Sequence, residues 1–165
     1  MKKQDFPIPT ALLPFTRRAF PSDVEKLAQR GLHPDDAADI AAFRPDVGIR
    51  QALQDSYDAS VLCVTFFIPG QPDIPVGMGG ITAPTRAWCL FAKDFPQNRE
   101  IAKIFLRACP IVRNWWLKLT NGFLWNLTRP ENRRVRRWLK WLGAVELDAP
   151  AWPVIFYIQG GKPHV

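Results

Sequence analysis

The 165 residues of this chain suffice for one domain that buries a single core without disulfide or metal staples. A hydrophobic content of 47%, with seven Trp and eleven Phe, supports a well-filled core, and no run approaches the ~18 apolar residues of a membrane span. The formal net charge of +7, with its excess after Arg99, favours an anionic partner: a phosphorylated cofactor, nucleic acid or an acidic protein surface. Cys63, Cys89 and Cys109 are odd in number and lack C-x-x-C spacing, so they read as buried free thiols in a reducing compartment and speak against a zinc site. Lys2-Lys3 leads into polar, proline-bearing sequence rather than the apolar run of a secretory leader, so the expected location is a cytoplasm, or a particle packaged from one.

Residues 1–13 have little periodicity and read as an irregular arm ahead of a single domain over residues 14–165. Pro14 to Phe20 reads as a short first strand with Arg17 and Arg18 near its exposed edge. A helix starts at Pro21-Ser22-Asp23, with Ser22 as the cap and Glu25 three residues on as in a capping box, and it stops at Gly31. A second helix starts at His33-Pro34-Asp35-Asp36 and ends before Pro45, with His33 as an exposed capping residue rather than a catalytic base. A third, Val47 to Tyr57, brings Ile49, Leu53 and Tyr57 onto one side.

Ser60 to Pro69 is rich in β-branched and aromatic residues, Gly70 to Asp73 supplies a turn, and Ile74 to Ala83 answers as the next strand. Gly77, Gly79 and Gly80 have the composition of a phosphate loop, but no helix follows them, so a bulged or closely approached strand is the better reading. Thr85 to Ala92 continues the meander as the strand expected at the centre of the sheet. Ile101, Ile104, Phe105, Ala108, Val112, Trp115 and Leu119 then share one face of a long helix, with a kink or break near Cys109 imposed by Pro110. Asn121-Gly122 stops it.

The segment Thr128 to Ala144 organises what precedes it. Leu124 to Thr128 alternates like a strand, Pro130 suits the first turn of a helix, and Gly143 sits where that helix stops. Val135, Trp138, Leu139 and Leu142 recur at i, i+3, i+4, i+7 and form an apolar stripe, with Arg133, Arg136, Arg137 and Lys140 on the other side. Val145 to Leu147 and Val154 to Gln159 make two final strands.

Asn132, Val135 three residues on, the pair Trp138-Leu139, and Gly143-Ala144 match in spacing the N-x-x-A-x-x-L-Y-x-x-x-G-F signature of the GNAT-type N-acetyltransferases. The chain resembles that family over roughly residues 12–160. Within it, the chain is most similar to the degenerate GNAT-like proteins of tailed phages, the group that includes the small internal virion protein of T7-like phages. The resemblance implies an α/β (α+β) fold: a mixed, mostly antiparallel central sheet flanked by helices, its strands splayed at the centre. It also implies acetyl-CoA as the cofactor, lying in the gap between the strands at Trp88–Ala92 and Leu124–Thr128. On this basis Leu90, Phe91, Lys93, Arg99 and Asn132 are the candidate cofactor-binding residues, and Asn132 reads equally as a cap.

The same resemblance exposes departures. The family's pyrophosphate loop is glycine-rich, whereas residues 92–100 contain no glycine, and Pro96 lacks an amide hydrogen. Leu139 stands where the family has the tyrosine acid, and Thr85 to Ala92 carries no carboxylate to serve as a base. Tyr57, Tyr157, Asp94 or a water are open substitutes, so no catalytic residue is assigned. The two function classes are therefore a catalytically degenerate phage protein that binds a virion, host or viral partner, and an active acetyl-CoA-dependent N-acetyltransferase acting on an amine. A basic nucleic-acid binder is a third. The candidate partner surface is Arg133, Arg134, Arg137, Lys140 and Trp141, where an aromatic stands beside arginines; no metal is expected.

Overall fold

The computed structural model describes residues 6–147 and 152–160. Seven strands, β1 (Thr16–Arg18), β2 (Ser60–Ile68), β3 (Gln71–Thr82), β4 (Arg86–Phe91), β5 (Phe123–Thr128), β6 (Val145–Glu146) and β7 (Val154–Gln159), form one sheet. Their order is β1-β2-β3-β4-β5-β7-β6, which puts β4 at the centre as expected. β4 and β5 are parallel, and the other neighbours are antiparallel. Among the described residues five α-helices flank the sheet: α1 (Pro21–Arg30), α2 (Pro34–Phe43), α3 (Ile49–Ala59), α4 (Arg99–Leu119) and α5 (Arg133–Trp141). The fold class is thus the mixed, mostly antiparallel α/β arrangement anticipated from the sequence.

Residues Leu62 to Phe67 of β2 are all buried, because the sheet is covered on both faces there. The glycines of β3 make that close packing possible. A Cβ on Gly79 would lie 2.7 Å from the Cys89 sulfur and 3.2 Å from Trp116 Cη2, and one on Gly80 would lie 2.3 Å from the Leu62 carbonyl oxygen. Since neighbouring strand residues face opposite ways, α4 presses on the sheet at Gly79, while Trp88 on the other face donates its indole N–H to Ser60 Oγ at 2.9 Å. This is the closely approached strand, with register shifts in its pairing to β2.

Several expectations need correction. The arm contains a 3-10 turn at Thr10–Leu12 whose Leu12 is fully buried, and residues 1–5 lie outside the described part. Helix α1 begins at Pro21, ahead of Ser22, because the carboxylate of Asp23 accepts the Phe20 N–H at 2.8 Å. Glu25 reaches α3 instead, pairing with Arg50 at 2.6 Å. His33 does cap α2, but half-buried, with Nδ1 accepting the Asp35 N–H. Helix α4 runs unbroken through Pro110: the carbonyl left without a donor belongs to Leu106, which is 45% exposed and can be served by water. Helix α5 starts at Arg133 rather than Pro130, because the Asn132 side chain caps it by accepting the Val135 N–H at 3.2 Å. The glycines that follow α4 and α5 turn the chain as expected, with Gly122 and Gly143 each at φ 86°. Among the described residues no helix is long and apolar enough to cross a membrane.

Candidate functional site

β4 and β5 are held together at one place. Arg86 is opposite Trp125, whose N–H donates to the Thr85 carbonyl at 3.3 Å. Past that point the strands part, each leading into its own helix, β4 into α4 and β5 into α5. The first turn of α2 enters the opening. The His33 N–H donates to the Phe91 carbonyl at 2.9 Å, and Asp36 Oδ2 accepts the Phe91 N–H at 2.9 Å. Strand alternation turns the N–H and carbonyl of Cys89 toward the same opening.

Helix α2 also ties itself to the β5–α5 corner. Asp39 accepts from Thr128 Oγ1 at 2.8 Å, Asn132 Nδ2 at 2.9 Å and Arg129 Nε at 2.6 Å. Arg134 reaches back from α5 to Asp35 at 3.0 Å and Asp36 at 3.2 Å. The parted strands are thus bridged by α2 through ionic and hydrogen-bonded contacts.

A cavity of about 400 Å³ occupies the splay and the space under α4 and α5. Its lining is mostly apolar. Phe91 stacks on Phe95 with centroids 5.0 Å apart, Phe105 meets both rings edge-on, and Phe105 reaches Trp138 of α5 at 6.0 Å. Cys89 and Cys109 also line it. Burial pushes the Cys109 thiol up to about 12, partly offset by Trp138, and drives Cys89 well above its ordinary value, so both remain protonated. Asp36 is the titratable group of interest here: burial raises it to about 6 against the opposing pull of the Phe91 N–H and Arg134.

Of the sequence-derived cofactor residues, Leu90 and Phe91 line this cavity. Lys93 and Arg99 are exposed outside it, and Asn132 is 1% exposed, with Oδ1 committed to the α5 cap and Nδ2 to Asp39. In the basic set, Arg134 is engaged with Asp35 and Asp36, Lys140 sits 3.3 Å from Glu146, and Arg133 and Arg137 are exposed. Trp141 is 54% exposed. Leu139 is buried and lines the cavity. Asp36 and Asp39 were not singled out from the sequence. The available signal was their i, i+3 spacing on the face of α2 that also carries Ile40 and Phe43. Among the described residues no cluster of His, Cys, Asp or Glu is placed to hold a metal ion.

No family model and no curated protein matches the sequence. Solved structures do. The acetyltransferase from Agrobacterium tumefaciens str. C58 matches with a TM-score of 0.64 at 14% identity, over 97% of this chain and 99% of that one. This is the GNAT acetyltransferase fold. A GNAT-family acetyltransferase from Bacillus anthracis matches with a TM-score of 0.60 at 14% identity, over 87% and 93% of the two chains. The PaiA N-acetyltransferase from Thermoplasma acidophilum, solved in complex with coenzyme A, matches with a TM-score of 0.55 at 12% identity, over 88% and 98%.

The GNAT fold implies a coenzyme A site at the splay and the start of α4, and the residues present do not fit that group. In place of a glycine loop, Phe95 turns its ring into the aromatic stack and is 7% exposed. Pro96 offers no N–H, and Asn98 Oδ1 takes the Ile101 N–H at 3.0 Å, one of the few free amides of the helix start. The backbone pair of Phe91, on the edge where an extended ligand arm would pair, is already held by His33 and Asp36.

Proposed function

We propose that this chain is a catalytically degenerate GNAT-fold protein that acts by binding, rather than by transferring an acetyl group from coenzyme A. The observation that carries this reading is the occupation of the Phe91 N–H and carbonyl by Asp36 and His33, which withdraws the last residue of β4 from pairing with a ligand and leaves the Cys89 pair facing the opening. The glycine-free turn before α4 and Leu139 in place of a phenol support it. The chain's resemblance to the degenerate GNAT-like proteins of tailed phages supports a role in a virion or against a host or viral partner. The exposed Arg133, Arg137 and Trp141 are the surface offered to such a partner.

The second reading, an amine-acylating enzyme, is favoured by one group. Asp36, lifted to about 6 inside the cavity, has the proton affinity of a general base at neutral pH. Calorimetric titration with coenzyme A and acetyl-CoA separates the two. The binding reading expects no heat at millimolar ligand. Micromolar affinity that is weakened by Arg99→Ala would overturn it and restore the enzyme.

A further inference from the structure

Four arginines line the cavity, and they are not equally occupied. Arg134 is shared between Asp35 and Asp36, Arg44 is paired with Asp55, and Arg113 spends all three of its nitrogens on the Leu142 carbonyl and Asn114 Oδ1. Arg86 differs from them. Its Nε donates to Asn126 Oδ1 at 3.2 Å, an oxygen that also takes the Leu127 N–H at 2.7 Å, and its guanidinium stands 5.7 Å from the Trp125 ring. Both terminal nitrogens are without a partner among the described residues. Although the side chain keeps contact with solvent, crowding around the guanidinium, and after it the like charge of Arg44, lowers its pKa. A cation is therefore aimed and left unmatched at the wall of the cavity.

The surroundings define what would match it. Arg86, Trp88 and Leu90 alternate onto the face of β4 that looks to α2 and α3, where Trp88 meets Ser60 at the end of α3. Phe43, at the end of α2, continues the apolar wall to Trp152, with ring centroids 5.1 Å apart. An apolar wall with one unmatched cation is complementary to a ligand with an apolar body and a single negative charge. Because Nε is already spent on Asn126, the free edge of the guanidinium is the one between Nη1 and Nη2, whose parallel N–H groups match the two oxygens of a carboxylate. A dianion fits less well, since Arg44 is already spent on Asp55. Asp36 and Asp39 line the same cavity, but they are tied to Arg134 and Arg129, and the charge that acts on Arg86 is that of Arg44.

We propose that Arg86 anchors a binding site for a small apolar monocarboxylate, an arylalkanoate, whose oxygens accept from Nη1 and Nη2 and whose body lies against Trp125, Trp88 and Phe43. The site lies where β4 begins, on the face of the sheet away from α4, and so is apart from the Phe91 end of that strand. It goes beyond the partner surface on α5 and does not rest on it.

The test titrates the full chain with 4-phenylbutanoate, its neutral analogue 4-phenylbutanamide, and acetate, by calorimetry and by proton–nitrogen correlation spectra of the indole N–H groups. The acid should bind at least about tenfold more tightly than the amide, the ratio expected for hydrogen bonds to a charged group. It should also shift the indole resonance assigned to Trp125. Acetate, which has the head without the body, should bind more weakly than the acid. Arg86→Gln should erase the preference for acid over amide and leave amide binding in place. Should that variant fail to fold, the parent's own Trp125 resonance and acid-to-amide ratio decide the matter. Equal binding of acid and amide, acetate binding as tight as the acid, a preference that survives Arg86→Gln, an unmoved Trp125 resonance, or no binding of the acid at millimolar concentration overturns the proposal. Micromolar coenzyme A binding, by contrast, sinks the non-catalytic reading and leaves the acid-to-amide ratio to be judged by itself.

Discussion

Asp36 places a carboxylate where its charge is poorly tolerated, and the consequence is a pH dependence of definite sign. Its pKa stands at about 6 in the folded chain against the ordinary 3.8, with burial as the main cause. Between those values the folded chain keeps a proton that the unfolded chain has released. The group's contribution to stability is therefore complete below the ordinary value and is lost as the pH rises through about 6. Asp36→Asn keeps an acceptor for the Phe91 N–H and removes the titration. Urea melts should show the variant gaining on the parent by on the order of 2–3 kcal/mol between about pH 3.5 and about pH 7.5. A difference that does not change with pH would show that Asp36 titrates as an ordinary carboxyl. Asp23 behaves with the opposite sign. Burial opposes its charge, but Arg17, the Phe20 N–H and Thr65 outweigh burial and hold it below the usual range, so its support is lost as the pH falls through that lowered value. Asp23→Ala leaves Arg17 unpaired and two further donors unmet, and thermal or urea unfolding should register a loss of about 3 kcal/mol or more.

Elements join in this fold through a few side chains, and Asp39 does the most joining. It accepts from Thr128 at the end of β5, from Arg129 in the turn and from Asn132 at the start of α5. Asp39→Ala should therefore loosen α5 before the sheet. Amide exchange over residues 133–141 should accelerate by about tenfold or more, since one charge-assisted hydrogen bond is worth about 1.5–3 kcal/mol, while the β2–β3 core keeps its protection. Uniform acceleration across both regions would refute a local anchor. Much of this architecture was legible in the sequence. Alternation and turn residues marked the succession of strands and the central place of the strand at Thr85 to Ala92, the family resemblance implied the gap between it and the strand at Leu124 to Thr128, and the 3.6-residue stripe of α5 marked its buried side. The anchoring was not legible. A carboxylate at the start of a helix reads as a solvated cap, and nothing local says that Asp36 and Asp39 will meet β4 and the α5 corner, which lie 55 and up to 93 residues away in sequence. Pro130 misled for a related reason: the start of α5 is set by Asn132, which is itself held by Asp39.

At the scale of the whole molecule, the formal charge of +7 is a poor guide to how strongly the α5 face would grip a polyanion offered to it. Arg136 forms a fork with Glu146 at 2.8 and 2.9 Å, and together with Lys140 it pulls that carboxyl down to about 2. Arg134 is shared between Asp35 and Asp36, and Arg129 is paired with Asp39. Arg133 and Arg137 are left, both exposed and without a partner among the described residues. Each cation that meets a phosphate contributes about −0.9 to the slope of log affinity against log salt on duplex DNA, so α5 should supply a slope of only about −2. Removing Arg133 and Arg137 together should flatten the measured slope by about that amount. Arg136→Ala should leave the slope unchanged, because its charge is already neutralised by Glu146. If instead Arg136→Ala flattens the slope as much as the double variant does, the ion pairs of α5 open on contact with the polyanion, and the whole basic face, rather than two residues of it, forms the binding surface.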